Sequence, residues 1–117
     1  MKILSINIGF LQEMLRNGRV VKTGIFKKPI EGPIEVKRLG LEGDQQANKK
    51  LHGGEYKAIC VYPSEYYDIW KKELGKLDLS FGYFGENFTT AGLMECDVCL
   101  GDRLSIGSAQ VVVTEPR

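Results

Sequence analysis

Between Arg38 and Lys57 the chain reads RLGLEGDQQANKKLHGGEYK, and this segment concentrates the groups able to do chemistry. Glu42 and Asp44 bring carboxylates, His52 the only imidazole of the 117 residues, and Lys57 an ammonium. Gly40, Gly43, Gly53 and Gly54 are interspersed among them, and a glycine beside a polar tip lets a ligand or another backbone come near. A histidine with an ordinary pKa of ~6.5 can donate to an anion or move a proton, and a lysine supplies a point charge. Each residue also fits a plainer reading: a tight turn with a satisfied side chain, a structural histidine, an exposed cation. Gathered in one segment, they favour a site. The segment shows neither helical nor strand periodicity, and loops this long inside a compact domain tend to be functional or disordered. Strand-like runs flank it closely, which argues for order and for one wall of a binding pocket.

Other candidates lie outside this loop. Gly85-Glu86-Asn87 places an acid and an amide after a turn, where they could clamp polar ligand edges or simply start a strand. Arg117 offers a planar fork matched to phosphate. Cys96 and Cys99 form a C-x-x-C pair, but a zinc site needs a second pair or two histidines, and only Cys60 and His52 remain. A redox pair would need a βαβ setting that is missing, so all three cysteines read as buried structural thiols. There is no phosphate-binding glycine loop, dinucleotide fingerprint or nucleophile elbow.

The elements that must position these residues are mostly short strands. Lys2–Gly9 alternates as a first strand, and Asn17-Gly18 is a hairpin turn joining an arm at Gln12–Arg16 to one at Arg19–Lys27. Pro29 and Gly32-Pro33 break pairing, Ile34–Leu39 resumes as a strand into the loop, and Ala58–Tyr62 leaves it. Ser64 caps a helix running to Leu74, with Tyr66, Trp70 and Leu74 on its apolar stripe and Gly75 at its end. Strands follow at Asn87–Thr90, Arg103–Ile106 and Ala109–Thr114, with a helical turn or bend over Met94–Cys99. Many short strands, glycine turns and one helix predict a closed or nearly closed β-barrel in a single domain. The 16 basic and 15 acidic residues give net charge +1, no case for a nucleic-acid footprint. No apolar run approaches the ~20 residues of a membrane span. An odd cysteine number suits reduced thiols in a cytoplasm.

Taken together, the segments KKPIEGPIEV, GLEGDQQA, LHGGEYKAICVYPSEYYDIW, FGENFTTAGLMECDVCLGD and VVVTEPR resemble the MOSC domain family, in particular its small stand-alone bacterial members. The resemblance covers nearly the whole chain. It implies a pyruvate-kinase-barrel-like β-barrel that binds a molybdenum–pterin cofactor, and a parent reductase that detoxifies N-hydroxylated compounds, including nucleobase analogues. A separate flavoprotein or iron–sulfur protein would deliver electrons. The pocket so implied is lined by Asp44, His52, Gly53, Gly54 and Lys57, with Glu86 and Asn87 opposite and Arg117 close to the cofactor. Lys57 or Arg117 would face its phosphate. In the family the metal-ligating cysteine follows the Pro-Arg pair, so none of Cys60, Cys96 and Cys99 is assigned to the metal, and the domain is expected to continue past residue 117. Two other readings stand beside the reductase. One is a non-catalytic module that binds a pterin or another anionic small molecule, or carries sulfur or cofactor. The other is a barrel whose last strand pairs with a second copy.

Overall fold

The structure, a computed structural model, describes residues 1–46 and 54–116. Strand β1, Lys2–Ile8, is central. It pairs antiparallel with β4, Lys28–Ile30, on one side and with β8, Phe88–Ala91, on the other; β7, Val61–Pro63, adds parallel to β8. The sheet order is β4-β1-β8-β7. The register of β1 against β8 shifts between Ile3 and Ser5; Asn7 is buried and Leu4 exposed along the strand.

Three two-stranded ribbons surround this sheet. β2, Gln12–Arg16, and β3, Arg19–Thr23, meet across the expected turn, where Asn17 and Gly18 both have positive φ, as the turn requires. β9, Arg103–Ile106, and β10, Ala109–Val112, close through Gly107-Ser108. The expected strand at Ile34–Leu39 is much shorter. Only Val36–Lys37 (β5) pairs, with Gly40–Leu41 (β6), and Arg38-Leu39 form the turn. Gly40 drives this reversal: its φ is 141°, and a Cβ there would sit 3.0 Å from the Ala58 carbonyl oxygen. Pro29, expected to end pairing, lies inside β4 opposite Asn7. β4 is an edge strand, where a missing N–H costs nothing to the ladder.

The chain is mainly β with one α-helix among the described residues, as the sequence predicts. These strands form an open four-stranded sheet and three ribbons, not a closed ring. Helix α1, Glu65–Leu74, starts after Ser64 and ends at Gly75 in the left-handed conformation. Ser64 sits at the cap position, but its hydroxyl bonds the Glu65 carboxylate and caps no backbone N–H. The expected stripe is also displaced: Tyr67 is the buried residue, while Trp70 and Leu74 stay 40% and 46% exposed. Tyr67 is chosen because Phe81 and Phe84 meet its ring edge-on at 5.2 and 5.1 Å, and its hydroxyl finds a buried partner. Cys96 and Cys99, expected to be buried, are exposed. Asp97 caps the Met94 N–H and Asp102 the Cys99 N–H, tying this stretch into a surface 3₁₀ turn. Cys60 is half-buried. No helix among the described residues is long and apolar enough to cross a membrane.

Two surface glutamates brace α1. Glu65 accepts the Gly92 N–H and Glu95 the Tyr66 hydroxyl, which hold both carboxyls below the usual range. Their folded pKa lies below the unfolded one, so their stabilisation is complete above the ordinary value of 4.5 and fades as pH falls through the depressed values. As pH falls below the ordinary value of 4.5, stability measured by urea unfolding should therefore drop more steeply in the wild type than in a Glu65→Gln/Glu95→Gln variant. In the core, Phe88→Ala should cost about 3–5 kcal/mol in urea unfolding, since Phe88 is fully enclosed on the central strand pair.

Candidate functional site

The predicted site residues fall into two clusters. The first is buried under the start of the loop. Asp44 turns inward after Gly43, whose φ of 83° allows the reversal. Its Oδ1 accepts the Gly9 N–H at 2.9 Å and the Lys27 ammonium at 2.7 Å; its Oδ2 accepts the Asn87 side-chain amide at 2.9 Å. Lys27 and Asp44 side chains are 6% and 2% exposed, which makes this the one enclosed ion pair among the described residues. Lys27 reaches it because the backbone before and at that residue packs tightly. A Cβ at Gly9 would lie 2.4 Å from the Phe26 carbonyl oxygen, and one at Gly82 2.6 Å from that of Lys27. The amide oxygen of Asn87 accepts the Cys60 N–H at 3.0 Å, and its nitrogen also donates to the Asn7 carbonyl at 3.2 Å.

Glu86 belongs to the same interior but points the other way. Its Oε1 accepts the Tyr67 hydroxyl, the Gly82 N–H at 2.6 Å and the Thr89 hydroxyl at 3.1 Å. Asn7 links the two halves, donating to the Glu86 carbonyl and to the Thr89 hydroxyl. Burial first, and the Glu86 carboxylate second, push the Tyr67 hydroxyl far above its ordinary pKa, so Tyr67 stays a donor at any physiological pH. Glu86 Oε2 and Thr90 Oγ1 are buried without a hydrogen-bond partner.

The second cluster lies at the loop's exit. Gly54 has φ 86° with open space where a Cβ would be, and Glu55–Lys57 form a 3₁₀ turn closed by the Lys57 N–H on the Gly54 carbonyl. Three contacts fix this turn from outside: Arg38 to Glu55 at 3.0 Å, Lys57 to Glu115 at 3.2 Å, and the Thr114 hydroxyl to the Tyr56 carbonyl. The Glu55 carboxylate raises the Arg38 guanidinium further above its ordinary pKa. The expectations for His52, Gly53 and Arg117 lie outside the described residues. Thus Asp44 and Asn87 are brought into direct contact, Glu86 adjoins them through Asn7, and Gly54 and Lys57 are held separately. The residues that sequence reasoning missed are Lys27, Asn7, Tyr67 and Thr89, which complete the buried network. Their signal was slight: one lysine in a basic pair, and polar residues at inward positions of strands.

A profile of the MOSC domain matches residues 48–117, and the chain belongs to that family. It is 44% identical over 98% of its length to the uncharacterized protein YflK of Bacillus subtilis (strain 168), and 42% identical over 81% to the protein YiiM of Escherichia coli (strain K12). It is 30% identical over 98% of its length to a protein of Gibberella moniliformis named as a reductase, of which it covers 21%. The crystal structure of YiiM from Geobacillus stearothermophilus superposes with a TM-score of 0.72 at 40% identity, over 99% of this chain and 51% of that one. The chain spans about half the length of YflK and 43% of E. coli YiiM.

The family implies a molybdenum–pterin cofactor, and the described residues divide in their fit to it. Asp44 and Asn87 have every polar side-chain atom engaged within the protein, and Asp44 and Glu86 are enclosed carboxylates that would repel an anionic group. They do not fit as its direct ligands. Lys57 fits: it is a partly exposed ammonium on a turn whose neighbouring glycine leaves open space. Among the described residues no group of three or more His, Cys, Asp or Glu could hold a metal ion.

Replacing Lys27 by Met should destabilise the protein by about 3–5 kcal/mol in urea unfolding, because it strands an enclosed carboxylate. Lys27→Arg, which keeps the charge, should recover most of that loss.

Proposed function

We propose that this chain is the cofactor-receiving part of a molybdenum–pterin-dependent reductase acting on N-hydroxylated compounds, including N-hydroxylated nucleobase analogues, as a cytoplasmic detoxification enzyme. The observation that supports this reading most is the MOSC match over residues 48–117, which includes the Gly54–Lys57 turn and its anchor Glu115. The relative named as a reductase is consistent with it. When bound, the cofactor would supply the two-electron reduction of an N–OH group to N–H with release of water, its electrons coming from a flavoprotein or iron–sulfur donor.

The chain's own residues would then bind and orient. Lys57 is the counter-charge for the cofactor phosphate, shared with Glu115 until the phosphate arrives. Gly54 keeps the approach to the turn clear. His52, Gly53 and Arg117 are proposed as further contacts to the cofactor. Asp44, Asn87 and Glu86 serve the pocket from behind, by fixing the backbone on which the facing residues stand.

The test is expression of the longest natural reading frame that contains this chain, with and without Lys57→Met. Stoichiometric molybdenum and reduction of an N-hydroxylated base are expected for the wild type, and molybdenum content lowered about tenfold in the variant, the loss of one charge-assisted contact. Absence of molybdenum from the wild type, produced in a host that makes the cofactor, would overturn the reading.

A further inference from the structure

Asp44 and Cys60 flank residues 45–59, and one side chain touches both. Asn87 donates from Nδ2 to the Asp44 carboxylate at 2.9 Å and accepts on Oδ1 the Cys60 N–H at 3.0 Å. The backbone around Asn87 repeats the grip, since the Asn87 and Phe88 N–H groups both donate to the Cys60 carbonyl, at 2.8 and 3.1 Å. Asn87 is 2% exposed, and it directly precedes β8, its carbonyl accepting the Asn7 N–H of β1 at 2.7 Å. Lys27 completes the arrangement by neutralising Asp44 at 2.7 Å. Without that ammonium the carboxylate would be drawn toward water, and the entry end would be left to the Gly9 and Gln45 backbone contacts.

We infer that Asn87 is a positioning residue, a clasp that holds the entry and the exit of the 45–59 segment at fixed separation, with Lys27 as its charge support. Neither residue needs to touch a ligand to do this. An asparagine suits the role because one planar amide offers a donor and an acceptor on opposite sides. Aspartate cannot donate to Asp44, and leucine can do neither. The Gly54–Lys57 turn lies a few residues before Cys60, so the clasp acts with the Arg38, Thr114 and Glu115 contacts to set where its ammonium stands. This last step rests on the function proposed above; the clasp itself does not.

Amide hydrogen exchange read peptide by peptide on the folded chain tests it, with Tyr67→Phe as the control. That control disturbs the Glu86 end of the same buried network and leaves both clasp contacts intact. Asn87→Ala and Lys27→Met should speed exchange in peptides covering residues 54–60 about tenfold beyond the change in the β9–β10 ribbon, as loss of a buried hydrogen bond implies. Lys27→Arg should restore the wild-type rate. If Asn87→Ala does not fold, Asn87→Leu, which keeps the side-chain volume and loses both clasp contacts without adding a charge, gives the same readout. Equal acceleration across all peptides, or the same pattern in Tyr67→Phe, would overturn the clasp. In the longest natural reading frame that contains this chain, molybdenum retention should fall several-fold more in Asn87→Ala than in Tyr67→Phe; equal retention would overturn the link to Lys57. A wild type without molybdenum would remove the proposed function and leave the exchange result to decide the clasp.

Discussion

The structure depends on satisfying polar groups in its interior. Asn7, Glu86, Asn87, Thr89 and Thr90 are all buried, against Leu41, Tyr67, Leu79 and Phe88 among the larger apolar residues. An amide or carboxylate taken out of water without partners costs several kcal/mol on apolar transfer scales, so such a core is stable only when its hydrogen bonds are made together. Here they run from Lys27 through Asp44, Asn87, Asn7 and Thr89 to Glu86 and Tyr67, while Glu86 Oε2 and Thr90 Oγ1 stay buried without a partner. The chain of contacts joins the edge of the sheet, the loop, the two central strands and the helix. An apolar core tolerates sliding, whereas a directional one fixes register and loop position with it.

That constraint explains why the conspicuous acids and amides of the sequence lie beneath the surface. A carboxylate such as Asp44, placed after a glycine in a long polar loop, looks like a ligand-facing group. It faces inward because the loop has few other ways to anchor itself: no strand ladder holds residues 42–46, and the Asp44 side chain with the Gln45 N–H on the Gly9 carbonyl takes that role. At the other end, the turn carrying Lys57 is secured by contacts to Arg38, Thr114 and Glu115. Rigid attachment at both ends leaves the ammonium partly in solvent, where it can meet an anion.

Much of the fold was legible in the residues themselves. The Asn17-Gly18 turn, the helix ending at Gly75 and the Gly107-Ser108 hairpin rest on local steric preferences, and local signals survive in any fold. What was not legible depends on neighbours distant in sequence. Pro29 reads as a breaker until it is known to lie on an edge, and Ile34–Leu39 reads as one strand until Gly40 meets the Ala58 carbonyl. The helix stripe was displaced to Tyr67 because the rings of Phe81 and Phe84 and the Glu86 carboxylate lie on that side. Cysteine burial was misjudged at Cys96 and Cys99 because aspartate caps, not side-chain packing, shape that turn. For the candidate site, the loop and Lys57 were recognisable by residue type, but the division between groups that anchor and groups that face outward required coordinates.

The pairing of Ile6 with Phe88 has a kinetic side. The central strand β1 precedes its main neighbour by some eighty residues, a separation that slows folding because the intervening chain must be ordered before the contact forms. During synthesis β1 can close its ribbon with β4 early, but its other edge must wait until the Phe88–Ala91 stretch has cleared the ribosome. Over that interval the nascent chain carries a strand with one edge of unpaired backbone amides.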